Sequence, residues 1–455
     1  MTAFWASILK EVWQIDAQLT QLDGEYDLNF LVQGDQPAVL KVMRADCETS
    51  FIDLQCRAFA HLSENASHIP APSIIKTLSG ELYTNVTGPD GESRIVWLLE
   101  KIEGKTYANF KPQSLSLIHN VGQVVGAVDK AWVDFVHPEL VRDFKWNLCQ
   151  GDWIAEHQEV IEAAPRQAII SDILEQFSAI KSDLYQLDQQ AINNDVSGYN
   201  LIVDGSLTQA AKVTGVIDLG DMCAGPRICN LAITAAYMVL DQQQPEKVLE
   251  AIVTGYHSEN PLTSSEIDML WPLLRMRLAV SVINSTLMAQ ENPDDPYIVI
   301  SQKPAWSFLE ENQVDAELLK VRLRVACDLP VTDATERTQS WLNANRGNFA
   351  PVLGVDLSNA PLRSLSVENC TSPQNPFDLG AKEAAEIGGD YIESEGIWLG
   401  YYNEPRLAYT DPAFSNGPYK ASDRRTVHLG VDAFGPAGLE VHSPLEGKVE
   451  FAEYH

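Results

Sequence analysis

Asp195, Asn200 and Asp218 are the residues whose types and spacing could do chemistry. Asp195 and Asn200 stand just before one apolar run, Leu201-Ile202-Val203, and Asp218 closes another, Val213 with Val216-Ile217. The runs read as two strands joined by a turn at Asp204-Gly205-Ser206, and such a hairpin brings all three polar side chains to one edge. Transfer of a phosphoryl group from ATP needs this set: a carboxylate that orients a hydroxyl and takes its proton, with a carboxamide and a second carboxylate holding magnesium. Asp and Asn also serve turns for local reasons, and the five-residue step from Asp195 to Asn200 alone would read that way. The second Asp, arriving at hairpin distance, tips the reading toward chemistry.

Phosphates also call for a cation. Upstream, LTQLDGEYDLNFLVQGDQPAVLKVM alternates as paired strands do, with turns at Gly24 and at Gly34-Asp35. Lys41 sits inside Val39-Leu40-Lys41-Val42, where a buried ammonium needs a partner. An edge-strand lysine facing water is the plain alternative, but its place ahead of the 195–218 stretch suits a phosphate-gripping lysine. The turn at Gly24 is the other nucleotide-binding candidate. On the helix expected over Thr49–Leu62, Gln55 occupies the place of the glutamate that pairs with such a lysine in protein kinases, with Asp53 and Glu48 nearby.

The elements that must position these residues fall into two groups. Ile69-Pro70-Ala71-Pro72 forces an extended connection, and strands over Glu81–Val86 and Ser93–Leu99 flank the turn Gly88-Pro89-Asp90-Gly91. Glu100–Gly104 leads out of this sheet as a hinge. Beyond it Leu115–Leu187 is mostly helical, and helices are expected over Asn230–Leu240, Pro245–Tyr256, Ser264–Gln290 and Ala305–Ala326. The pattern is α+β and bilobal, with a small sheet lobe, a large helical lobe and a nucleotide cleft between them.

The chain has 455 residues, enough for two or three units, and its 63 acidic against 32 basic residues give a net charge of -31. That charge repels nucleic acid and anionic membranes, although most of it serves as a solvated surface. Seven scattered cysteines without a C-x2-C pair suit reduced thiols and a cytoplasmic protein. The N-terminus reads as an amphipathic helix rather than a secretion signal, and the apolar run Leu231–Leu240 is half of what a bilayer requires.

The order of parts over roughly the first 330 residues resembles the aminoglycoside phosphotransferase-like kinases, most closely their hydroxylysine kinase branch. The family's HGD-x4-N loop is similar to Asn193-Asn194-Asp195 with Asn200, and its IDFGD to Ile217-Asp218-Leu219-Gly220-Asp221. Arg277-Leu278 and Tyr297-Ile298-Val299-Ile300-Ser301 with Ala305-Trp306 are similar to its later helical signature. The resemblance implies a protein-kinase-like fold, with Lys41 on the phosphates, Asp195 as catalytic base, Asn200 and Asp218 on Mg2+, and a small amine-bearing alcohol as substrate. The departures are Asn193 for the loop histidine, Gly198 for an Asp of fused relatives, Gln55 in the helix, and Asn230 for an acidic residue. They keep a non-catalytic nucleotide-binding or scaffolding module in play.

Residues 331–400 read as linker with short strands. Residues 401–455 resemble the opening of a lysostaphin-type zinc peptidase barrel, whose His-x3-Asp is similar to His428 and Asp432. On one strand these positions would share a face and could both reach Zn2+. The later His-x-His is absent, so a truncated or degenerate all-β segment is expected rather than a working endopeptidase. Residues 1–103 and 104–330 are the expected lobes. The whole order also resembles a bacterial fusion ending in a class III aminotransferase, none of which lies in these residues; such a domain is a possible partner.

Overall fold

Period-two alternation decides which way Lys41 points. In the computed structural model, Leu40 and Val42 of strand β3 (Ala38–Val42) are fully buried against helix α1 (Thr2–Trp13) through Trp5, Leu9 and Trp13. Lys41, between them, must therefore face the other side. Residues 2–22, 27–34, 36–206, 209–292, 298–311, 314–364, 396–406, 427–436 and 438–448 are described; Gly24 lies outside them. The chain divides into two compact units, Met1–Asp333 and Ala334–His455.

In the first unit, β1 (Gln18–Leu22), β2 (Leu28–Gln33), β3, β4 (Tyr83–Thr87) and β5 (Ser93–Glu100) form an antiparallel sheet in the order β1-β2-β3-β5-β4. One face carries Phe30, Val32, Leu40, Val42, Val96 and Leu98 against α1. The other carries Ile95, Trp97 and Leu99 against helix α2 (Thr49–Asn65) and the large lobe. Trp97 is the cross-strand partner of Lys41, whose Nζ lies 5.3 Å from the indole centroid.

The connection to the helical lobe passes Gly104 at φ +138°, where an added Cβ would stand 2.6 Å from the Val203 carbonyl oxygen. Glycine is thus required at the crossing. Strand β6 (Lys105–Thr106) then pairs with β8 (Leu201–Ser206), after β7 (Gln190–Ile192), and β8 pairs with β9 (Gln209–Val216). The expected turn at Asp204-Gly205-Ser206 is thus a continuation of the strand, and the connection falls between Ser206 and Gln209. A register shift at Asp204/Ser206 absorbs the polar residues, which is why they read as a turn.

Around the hairpin pack α3 (Leu115–Ala131), α4 (Ala164–Leu184), α5 (Arg227–Met238), α6 (Pro245–Glu259), α7 (Ser264–Glu291), α8 (Gln302–Glu311) and α9 (Ala316–Ala326), with the short strand β10 (Cys223–Gly225) beside β7. The helix expected over Ala305–Ala326 is two helices, because Asp315 caps a fresh start by accepting from Leu318 N at 3.0 Å. Helices α3 and α6 cross in backbone contact: a Cβ on Gly255 would stand 2.0 Å from the His119 carbonyl oxygen. No helix of the described residues is long and apolar enough to cross a membrane.

In the second unit, α10 (Asp333–Asn345) precedes β11 (Leu362–Arg363), β12 (Trp398–Gly400), β13 (Glu404–Pro405), β14 (Val427–His428) and β15 (Ala433–Phe434). These strands form one three-stranded and one two-stranded sheet, with no closed barrel among the described residues. His428 and Asp432 do not share a strand as expected. They meet across the β14–β15 connection at 3.3 Å, and Asp432 is also engaged by Arg406. Among the described residues no group of three or more His, Cys, Asp or Glu side chains is arranged to hold a metal ion.

Candidate active site

Asp218 leaves the line of β9 with φ +61°, a left-handed conformation that is costly outside glycine and that turns its carboxylate out of the ladder. Its Oδ1 accepts the Gly220 N–H at 3.0 Å, and its Oδ2 lies 3.5 Å from Lys41 Nζ. The Lys41 ammonium, with the Gly220 amide adding to it, holds the Asp218 carboxyl below the usual carboxylate range. Sheet lobe and hairpin thus meet through this pair.

On the other arm of the hairpin, just ahead of β8, Asn194 also has a positive φ, +66°, and hands the chain to Asp195. Asn193 braces this turn. Its Oδ1 accepts the Asp195 N–H at 2.9 Å, and its Nδ2 donates to the Asp218 carbonyl at 3.2 Å, tying the two acidic segments together. Asn200 donates from Nδ2 to both Asp195 O (2.9 Å) and Asp195 Oδ2 (2.8 Å). With its nitrogen committed, the amide has its oxygen left for a cation.

Arg277 of α7 was not assigned a task by its sequence context, yet it is the partner of Asp195. Its Nη2 donates to Asp195 Oδ1 at 2.9 Å, its Nη1 to the Trp146 carbonyl at 3.3 Å, and its guanidinium stacks 4.7 Å from the Trp146 ring. Burial pushes the Asp195 carboxyl up to about 7; Arg277 pulls it down, while Asp221 and Asp218 add to the rise. One signal was readable: Arg275 and Arg277 amid Leu273, Leu274, Met276, Leu278 and Ala279 must be buried and paired.

The Asn230 departure is likewise resolved. Asn230 Oδ1 accepts the Asn194 N–H at 3.0 Å, and its Nδ2 donates at 2.7 Å to Asp129 of α3, which also accepts from Tyr256 at 2.8 Å. The acidic group behind Asn230 is thus Asp129, and burial holds it up at about 7. The folded chain therefore keeps the Asp129 proton above the ordinary value of 3.8, so this contribution to stability is full below about 4 and is lost as pH rises to about 7. Asn230→Asp would set two buried carboxyls within hydrogen-bonding distance. The expected loss is about 1–3 kcal/mol, larger at pH 8 than at pH 6, and Asp129→Asn in the same chain restores it. Urea unfolding of the single and double variants at both pH values checks this.

Lys41, Asp195, Asn200 and Asp218 line one cavity of about 1300 Å³ together with Gln55, Arg142 and Asp221. Arg142 braces its floor, donating to the carbonyls of Gly220 (2.6 Å) and Met222 (3.2 Å) with its guanidinium stacked between Phe51 and Phe144. Gln55 does not pair with Lys41, and Asp53 is taken by Arg57, His137 and Tyr83. A carboxylate and an amide oxygen beside a lysine make a hard-oxygen donor set of the kind magnesium takes when phosphates complete its shell.

Residues 18–267 match the phosphotransferase enzyme family. The chain belongs to that family. As one of its members it is a phosphotransferase, and its curated relatives carry the same activity in their names. The hydroxylysine kinase of Danio rerio is 27% identical over 312 residues, covering 65% of this chain and 86% of that protein. That of Mus musculus is 24% identical over 288 residues, covering 60% and 76%. In fold, the phosphotransferase is similar to an amicoumacin kinase solved with AMP-PNP, Ca2+ and Ami (TM-score 0.52, 12% identity, 70% of this chain and 96% of that one). It is also similar to a microcompartment-associated aminopropanol kinase (TM-score 0.51, 19% identity, 72% and 100%).

Proposed function

We propose that this phosphotransferase moves the γ-phosphoryl group of ATP to a hydroxyl of a small amine-bearing substrate, an amino alcohol of the hydroxylysine kind. The observation that carries the proposal is the convergence of Lys41, the Asp195–Asn200 loop and Asp218 on one cavity from three separate parts of the chain. The hydroxylysine and aminopropanol kinases among its relatives support the substrate class. So does the acidic lining of Asp27, Asp46, Glu48, Glu139 and Asp221, which favours an ammonium group.

Asp195, held by Arg277 and Asn200, orients the acceptor hydroxyl and takes its proton as the oxygen bonds to phosphorus and the bond to the departing ADP oxygen breaks. Lys41 offsets charge on the phosphate oxygens. Asp218 and the Asn200 oxygen would hold Mg2+, which when bound with ATP screens the triphosphate from the carboxylates. Asn193 and Asn230 keep the loop in place by backbone hydrogen bonds and move no proton.

The test is to incubate the purified chain with ATP, Mg2+ and, in turn, 5-hydroxylysine, ethanolamine and 1-amino-2-propanol, following ADP release and product mass. A phosphorylated amino alcohol is expected from at least one. ADP release no faster with any of them than with water alone would remove the proposal.

A further inference from the structure

We propose that Gln55 is a direct contact for the phosphate chain of MgATP, its Nε2 donating to a non-bridging phosphate oxygen. The assignment rests on the phosphotransfer reading above and adds a residue that reading does not use. Gln55 lies on α2 between the fully buried Leu54 and Cys56 and is itself only 3% exposed, yet its side chain lines the cavity that holds Lys41 and Asp218. Among the described residues nothing hydrogen-bonds its amide. Although the residue as a whole is buried, its amide reaches the solvent of the cavity, so a ligand bound there can meet it directly.

Asn29 stands opposite Lys41 on the neighbouring strand, lines the same cavity, and has a buried Oδ1 with no partner. Asn29 from β2 thus offers an acceptor beside the lysine, while Gln55 from α2 brings the neutral donor to the same cavity. A glutamate at position 55 would be drawn to the ammonium and could accept but not donate. Glutamine leaves Lys41 to Asp218, at 3.5 Å, until nucleotide arrives, and adds a neutral donor to the phosphate site. A neutral donor matters in a cavity already lined by Asp27, Asp46, Glu48 and Asp221.

Calorimetry of AMP-PNP with Mg2+ on the wild-type chain, Gln55→Leu and Gln55→Glu, with a melting curve for each, tests the assignment without any acceptor. A hydrogen bond to a charged phosphate predicts that Gln55→Leu binds about ten- to a hundredfold more weakly. The same variant melts no lower than wild type, because it removes an amide that the fold does not use. Gln55→Glu is expected to bind at least as weakly as Gln55→Leu, since a carboxylate repels phosphate. Unchanged nucleotide affinity in Gln55→Leu, or weaker binding together with a lower melting temperature, would overturn the assignment. So would wild-type affinity in Gln55→Glu, which would make position 55 a holder of Lys41. A wild-type chain that gives no binding heat removes the phosphotransfer reading itself, and this inference with it.

Discussion

Asp195→Asn lowers kcat for the proposed amino-alcohol phosphorylation by roughly 10²–10⁴-fold while leaving the affinity for MgATP within a few-fold of wild type. The substitution keeps the volume and an acceptor for Arg277, so the loop survives, but the group proposed to take the hydroxyl proton is gone. Lys41 and Asp218, the residues proposed for the phosphates and Mg2+, are untouched. Steady-state kinetics of ADP release, paired with nucleotide calorimetry, separate the two effects. A variant that keeps more than a tenth of wild-type kcat would show that the proton leaves by another route.

The same carboxyl sets a pH limb. Burial places it at about 7, tempered by the 28% of its side chain that solvent reaches. Only the ionised form can accept a proton, so kcat/KM is expected to fall about tenfold per pH unit below that value and to level off above it. Asp218, held low by Lys41, stays ionised throughout that range and contributes no limb there.

Much of this site was legible before any coordinates, and the reasons differ residue by residue. Lys41 could be placed because strand parity is rigid: once Leu40 and Val42 face α1, the residue between them has one face left. Asp195, Asn200 and Asp218 could be grouped because a hairpin brings its two ends together whatever the length of its turn. The turn itself was misplaced, since a register shift at Asp204/Ser206 lets polar residues continue a strand. The buried support was illegible for a different reason. Arg277 lies 82 positions from Asp195, and Asp129 lies 101 from Asn230, so only tertiary packing pairs them. Charged residues inside apolar helix stripes announce that a partner exists without naming it. The second unit gave least: His428 and Asp432 approach each other, but across a loop, with Arg406 on Asp432.

Arg277→Met is expected to damage both fold and rate. The guanidinium, with a side chain only 2% exposed, joins the Asp195 carboxylate, the Tyr237 hydroxyl and the Trp146 carbonyl, so three segments lose their common donor. Removing one member of a buried pair costs about 3–5 kcal/mol, and the partial exposure of Asp195 favours the lower figure. Kinetically, Arg277 is what pulls the Asp195 carboxyl down against burial and against Asp221 and Asp218. Without it the carboxyl rises further, less of it is ionised at neutral pH, and the acidic limb of kcat/KM moves to higher pH. Arg277→Lys keeps the charge but loses the fork that reaches Asp195, Tyr237 and Trp146 together, so it should recover part of the limb position and little of the stability. Urea unfolding and pH–rate profiles of both variants measure the two effects separately. An acidic limb that stays put in Arg277→Met would mean that the arginine only braces the loop and does not tune the base.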